Sequence, residues 1–244
     1  MSEWFEDWFN TKEYLNVYRH RNEQDAKKLV DLILQNIDIS AGSKVLDMAC
    51  GTGRHSVIFA KKGFQVTAVD LSKNLLKIAK DSAEEAGLKI NFVHSDLRSF
   101  CVTSKFNLAV NLFTSFGYFE DECDNFKILE NAYNLLFENG YFVIDFFNKR
   151  YIENNLIPES ADTVFDKKII QKRSIEGNRV EKQIIIKRNG SEKFFHESVR
   201  MYCKDELFNA LKSKGFNIRK FYGDSSGKSF DLESSPRIII IAQK

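Results

Sequence analysis

The sequence predicts an α/β fold, a mostly parallel sheet with helices on both faces plus a small antiparallel β insert. Three observations predict it. From Lys44 to Phe147, short apolar runs alternate with amphipathic stretches of helical length, the rhythm of βαβ units covered on both faces. Between Lys149 and Val199 the period drops to polar–apolar alternation residue by residue, the mark of strands with one wet face. After Lys204 the helix-and-strand rhythm returns.

The elements follow in order. Residues 1–37 read as helical, with Leu29, Ile33 and Ile37 beside Val30 and Leu34 on one face, and Ser40-Ala41-Gly42-Ser43 breaks the pattern. Lys44–Met48 is a buried strand and Arg54–Lys62 a helix. Gln65–Asp70 is a strand, followed by a helix from Ser72 to about Ala86 that Gly87 ends. Strands are expected at Ile90–His94 and Phe106–Phe113, a helix at Asp121–Phe137 closed by Asn139-Gly140, and a fifth strand at Tyr141–Phe147. In the insert, Ile169-Ile170, Val180–Ile186 and Lys193–Val199 alternate around turns at Glu176-Gly177-Asn178 and Asn189-Gly190, and Asn-Gly is a strong hairpin signal. A helix over Lys204–Lys214 and strands over Phe216–Tyr222 and Arg237–Ala242 rejoin the main sheet. The expected domains are therefore 1–148 with 200–244, interrupted by the insert at 149–199.

Bulk properties narrow the function. The 244 residues, 43% hydrophobic and 29% charged, bury one substantial core without disulfides or metals. Twenty-two Phe against three Met and two Pro indicate a core built on aromatic bulk. Thirty-six basic and 34 acidic residues leave a net charge of only +2. The charges are mixed, and the most basic stretch (Lys167 to Arg188) alternates with apolar residues, unlike the basic stripe of a nucleic-acid binder. Cys50, Cys101, Cys123 and Cys203 form no CxxC or Cys/His cluster, so neither a disulfide framework nor a metal site is expected. The start MSEWFEDWFN is unlike a signal peptide, and no apolar run approaches the roughly 20 residues that span a bilayer. A cytoplasmic protein without membrane contact, monomer or homodimer, is the expectation.

The chemistry is carried by Val45-Leu46-Asp47-Met48-Ala49-Cys50-Gly51-Thr52-Gly53-Arg54-His55, an apolar strand running into a Gly-x-Gly turn and then a helix. The glycines permit positive φ and close approach of a ligand to the helix N-terminus. Alone, such a turn is weak evidence. Asp70 ends the second strand, as for a carboxylate taking ribose hydroxyls, and Asp96 follows the third. Parallel strands gather their C-terminal ends at one crevice. Asp70 and Asp96 capping the helices that follow them is the alternative, less favoured because both stand in register with the Gly loop.

These motifs resemble the class I, Rossmann-like S-adenosylmethionine-dependent methyltransferases, and the resemblance covers nearly all of the chain. A nicotinamide dehydrogenase is disfavoured because the third glycine of G-x-G-x-x-G is Ser56. The resemblance implies a seven-stranded sheet with an N-terminal helical lid (1–37) and S-adenosylmethionine as cofactor, released as S-adenosylhomocysteine. It assigns Gly51 and Gly53 to backbone approach to the methionine part of the cofactor, Asp70 to the ribose, and Asp96 and Leu97 to the adenine, with Asp47, Ala49 and Leu71 also among the cofactor-binding residues. Asn111 falls beneath the sulfonium and amino-acid portion. The stretch Asn111 to Asp121, the C-terminal Ser234-Ser235-Pro236-Arg237 and the N-terminal pattern Trp4-Phe5, Phe9, Tyr14-Leu15, Tyr18-Arg19-His20-Arg21 resemble a branch of small bacterial methyltransferases with an inserted β-sheet cap.

Methyl transfer from a sulfonium needs alignment and exclusion of water more than a fixed catalytic group. Within the loop after strand four, Phe113 and Phe116 are expected to wall the acceptor and Tyr118 to be the catalytic candidate. Tyr18 and Arg21 lie on the segment that closes over the cofactor, where Arg21 either pairs with its carboxylate or is a plain surface arginine. Asn148, Arg200 and Tyr202 are expected at the acceptor. His196 is a weak base candidate and His55 is expected to make structural contacts. A small-molecule acceptor is favoured over RNA or protein, and a non-catalytic S-adenosylmethionine-binding module is the reading from another class.

Overall fold

A computed structural model describes residues 3–19 and 23–244. Helices α1 (Trp4–Phe9), α2 (Lys12–Val17) and α3 (Glu23–Leu34) precede the first strand. The expected N-terminal helical stretch is thus broken: Asn10 closes α1, and the Thr11 hydroxyl caps α2 by accepting from the Tyr14 amide at 3.2 Å. Then follow β1 (Lys44–Met48), α4 (Arg54–Lys61), β2 (Gln65–Asp70), α5 (Lys73–Glu85), β3 (Asn91–His94), β4 (Phe106–Asn111), α6 (Glu122–Leu135) and β5 (Leu136–Phe147). The fifth strand begins earlier than Tyr141. Leu136 already pairs with Phe106, and residues 137–140 bulge out before pairing resumes at Leu108 and Tyr141, with Asn139 at φ 64°.

After α7 (Lys149–Asn155) comes a separate antiparallel sheet of β6 (Glu159–Val164), β7 (Lys167–Glu176), β8 (Arg179–Arg188) and β9 (Ser191–Arg200). Two-residue turns at Gly177-Asn178 and Asn189-Gly190 set its register, pairing Glu176 with Arg179 and Arg188 with Ser191. The sequence reading has no β6, whose ESADTV lacks a run of apolar residues; only Val164 is buried. Helix α8 (Lys204–Ser213), β10 (Asn217–Tyr222) and β11 (Arg237–Gln243) complete the chain.

The main sheet has seven strands in the order β10-β11-β5-β4-β1-β2-β3, and only β11 runs antiparallel to both neighbours. The order reverses between β1 and β4, both parallel to each other, and the C-terminal ends of these strands open on one crevice. One face buries Leu29, Ile33, Ile58, Phe59 and Leu76 from α3, α4 and α5. The other buries Ile128, Leu129, Leu207 and Leu211 from α6 and α8, with Phe142, Phe146 and Phe216. The phenylalanine-rich composition is spent here.

Helices α1 and α2 lie between the two sheets. Trp8 and Val17 pack on Val164, Ile169, Ile184 and Ile186 of the small sheet, and Phe5 packs into the main core beside Phe119. No helix among the described residues is long and apolar enough to cross a membrane.

Candidate active site

At the crevice the sequence folds as its glycines require. Ala49, Gly51 and Gly53 adopt φ of 62°, 56° and 75°. A Cβ on Gly53 would stand 2.9 Å from the Ala79 Cβ on α5, so only glycine fits there. Gly51 lines a cavity of about 280 Å³ and has nothing within 4 Å of where a Cβ would stand. The loop is held by Asp70, 7% exposed, whose carboxylate accepts the Gly51 amide at 2.7 Å and the Ser72 amide at 2.8 Å. Burial outweighs these bonds and raises its pKa. Beneath the loop, Asp47 accepts the Ser56 hydroxyl at 2.5 Å and so pins the first turn of α4. Burial, and the charge of Asp70, push the Asp47 carboxyl up to about 6. Burial likewise raises the Cys50 thiol well above its ordinary value, with help from Asp70 and Asp47, so it is no nucleophile.

On the β3 side, Asp96 accepts the backbone amide of Arg98 at 2.7 Å and its guanidinium at 2.6 and 2.9 Å. Burial pushes this carboxyl up, but the bonds and charge of Arg98 prevail and hold it below the usual range. Arg98 also reaches Glu3 at 2.8 Å and Asp124 at 3.0 Å. It therefore ties the residue ahead of α1 to the loop expected to hold adenine.

After β4 the chain turns sharply. Phe113 and Thr114 both have positive φ, 61° and 64°, a strained pair for non-glycine residues. Asp145 on β5 fixes them: its carboxylate accepts the Phe113 amide at 3.0 Å and its carbonyl the Thr114 amide at 2.9 Å. Arg237 donates to the same carboxylate at 2.7 Å. The Phe113 ring then stands between the guanidinium groups of Arg54 and Arg237, each 5.4 Å from its centroid. Asn111 lies under this turn, fully buried, its Nδ2 donating to the carbonyls of Met48 and Ser115. Its Oδ1 is buried and has no hydrogen-bond partner among the described residues.

The cavity wall brings together Tyr18, Ala49, Gly51, Asp70, Leu71, Asp96, Leu97, Phe113, Phe116 and Tyr118. Asp47, Gly53 and Asn111 are not part of that wall. Arg21 lies outside the described residues. Three acceptor candidates are elsewhere, each held by neighbours. Asn148 donates to the carbonyls of Leu232 and Ser235 at 2.7 and 2.9 Å and caps α7. Arg200 pairs with Glu206 at 2.7 Å. Tyr202 is 1% exposed among Phe116, Phe126 and Phe146. His196 meets Glu181 on an exposed face.

Sequence reasoning missed Phe5, Phe9, Arg54, His55, Ser95 and Ser115, all of which line the cavity. Phe5 and Phe9 are spaced i, i+4 and share a helix face, a signal that was present. His55, 6% exposed, follows directly from its place in the first turn after Gly53. No metal-binding cluster of His, Cys, Asp and Glu occurs among the described residues.

Residues 45–140 match the model of a family described as a methyltransferase domain. A Geobacillus sp. (strain WCH70) protein that bears a provisional methyltransferase name is 27% identical over 210 residues, 82% of this chain and 84% of its own. Among solved structures, an S-adenosylmethionine-dependent methyltransferase of Clostridium acetobutylicum ATCC 824 has a TM-score of 0.80 at 24% identity, covering 94% of this chain and 95% of that one. An amino pentose methyltransferase of Micromonospora echinaspora, solved with S-adenosylmethionine bound, has a TM-score of 0.68 at 18% identity, covering 96% and 97%. Residues 45–140 are thus a methyltransferase domain, and the fold around the Gly loop and its carboxylates is that of the class I, Rossmann-like S-adenosylmethionine-dependent methyltransferases. The Micromonospora structure holds S-adenosylmethionine. The residues fit that ligand: an open glycine cradle and a carboxylate at a strand end line one cavity, and a buried side-chain acceptor lies under the adjoining turn.

Proposed function

We propose that the acceptor is a small molecule methylated inside the cavity. The observation that carries this reading is the cavity's size and aromatic lining. Phe5, Phe9, Tyr14 and Tyr18 from α1 and α2 roof a space of about 280 Å³, with Phe113, Phe116 and Tyr118 on another side. A folded protein or an RNA duplex does not enter such a space. No lysine lines it, and Arg19 and Arg54 are its only cationic side chains among the described residues, unlike the basic channel that tracks a phosphate backbone.

The cofactor supplies an electrophilic methyl group on its sulfonium. Gly51 gives its backbone close approach, Asp70 accepts from ribose hydroxyls, Asp96 and Leu97 border the adenine, and the free Oδ1 of Asn111 accepts from the ammonium group. Phe113 and Phe116 shape the acceptor's side, exclude water and restrict its approach to the line of transfer. Tyr118, edge-on to Trp4 at 5.3 Å, orients the acceptor. The amino pentose acceptor of the Micromonospora methyltransferase supports a small acceptor here.

Isothermal titration with S-adenosylmethionine and S-adenosylhomocysteine tests the site. Asp70→Ala is expected to weaken both by about 1–3 kcal/mol, and unchanged affinity removes Asp70 from the contact set. Turnover is then screened against small amines, alcohols and carboxylates, with total tRNA and rRNA in parallel. Methylation of RNA alone would overturn the small-molecule reading.

A further inference from the structure

No side chain of the small sheet lines the cavity, although the sheet covers the helices that do. Its contact with the site runs through a largely buried carboxylate. Glu197 on β9 is 12% exposed in its side chain and faces Lys182 on β8, its register partner, at 2.8 Å. From α1, Trp8 Nε1 donates to Glu197 at 2.6 Å. From the end of α2, the Tyr18 hydroxyl lies 2.6 Å from both Glu197 oxygens, and Lys182 Nζ lies against that hydroxyl and 4.6 Å from the ring centroid. The Phe195 ring packs against Trp8, tilted by 37° with centroids 4.5 Å apart. Tyr18 thus turns its ring to the cavity and its hydroxyl to the sheet. A second strut reaches the opposite wall, where Arg179 on β8 donates to the carbonyls of Tyr118 and Phe119 at 3.1 and 3.2 Å.

We infer that the small sheet is a bracket for the lid, and that Glu197 is a positioning residue whose bonds to Trp8 and Tyr18 hold α1 and α2 closed over bound cofactor. The inference rests on the cofactor reading above but not on the identity of the acceptor. It assigns the sheet to cofactor retention instead of acceptor recognition. A carboxylate fits the task because one buried anion satisfies an indole, a phenol and an ammonium at once. An amide in its place satisfies fewer and removes the negative charge 2.8 Å from Lys182.

The chain's two tryptophans, Trp4 and Trp8, are both on α1, so intrinsic tryptophan emission reports the lid alone. Glu197→Ala is expected to red-shift that emission without ligand. It should also speed S-adenosylhomocysteine release in stopped flow roughly tenfold, since such changes fall mostly on the off-rate. Emission and release both unchanged from the parent would overturn the inference. Hydrogen exchange on the unmodified protein needs no variant. Bound S-adenosylhomocysteine is expected to slow exchange in α1, α2, β8 and β9 together, and protection that stops at the lid would overturn the coupling. If S-adenosylhomocysteine does not bind at all, the cofactor reading fails, while the emission shift of Glu197→Ala still decides whether Glu197 holds the lid.

Discussion

Tyr202 sits among Phe116, Phe126 and Phe146, 1% exposed, and its hydroxyl has no hydrogen-bond partner among the described residues. Burial raises its pKa, so the phenol stays neutral. An unsatisfied buried hydroxyl costs about 1 kcal/mol or more. Tyr202→Phe is therefore expected to stabilise the protein by about 1 kcal/mol, roughly 2–4 °C in thermal midpoint, with cofactor affinity unchanged; a lower midpoint would show that the hydroxyl has a partner in solution. The sequence placed this residue at the acceptor because it follows the insert, yet it points into a core. Residues at the ends of β1, β2 and β3 were legible because strand termini of a parallel sheet have one destination. Asn148, Arg200 and Tyr202 follow no such rule: their direction depends on how the insert packs, and partners such as Leu232 and Phe126 are distant in sequence, while Arg200 turns back to Glu206 on the following helix.

At the scale of elements, the turn after β4 shows how a strained segment is fixed from outside. Positive φ at Phe113 and Thr114 costs on the order of 1–3 kcal/mol per residue, and nothing in Phe113-Thr114-Ser115 signals it. The compensation comes from β5 and β11, through Asp145 and Arg237. Asp145→Ala is expected to lower stability by about 3 kcal/mol in urea titration, because it frees the Phe113 amide and leaves Arg237 without its counter-charge. Turnover should then fall by more than cofactor affinity does, since Phe113 walls the cavity while the Gly loop is untouched; equal losses in both would show that the turn carries no separate role. The helices and strands of the main sheet were legible from period alone. The break at Asn10-Thr11 and strand β6 were not, because a cap within a helical pattern and an edge strand poor in apolar residues leave the periodicity nearly unchanged.

For the whole molecule, two acids at the loop set a pH dependence opposite to that of most carboxylates. The Asp47 carboxyl rises from an ordinary 3.8 to about 6, so the folded state holds its proton over a range where the unfolded chain has lost it. The stability this contributes is complete below about pH 4 and fades as pH rises toward 6. Asp47→Asn should therefore gain on the parent protein across that interval, by up to about 3 kcal/mol for a shift of this size, while still accepting from Ser56. Thermal midpoints from pH 4 to 7 measure it; a constant difference between the two would show that Asp47 titrates normally. Glu197 and Asp96, held low by Lys182 and Arg98 against the upward push of burial, act in the reverse sense in both proteins and cancel in the comparison.

The small sheet has a further consequence for how the chain tolerates change. Its strands present alternate residues to the lid, with Ile169, Ile184, Ile186, Phe195 and Glu197 inward and Lys168, Lys172, Lys187 and Phe194 exposed. Neither row reaches the cavity. Apart from Arg179, Glu181 and Ser198, which bond to one another and, through Arg179, to the Tyr118 and Phe119 carbonyls, the outward row is thus free to drift in charge and size, while the inward row is constrained by the helices it carries. Across residues 167–200, variation among descendants of this chain would then beat with a period of two, a record of mechanical support left in a segment that never meets the molecule being methylated.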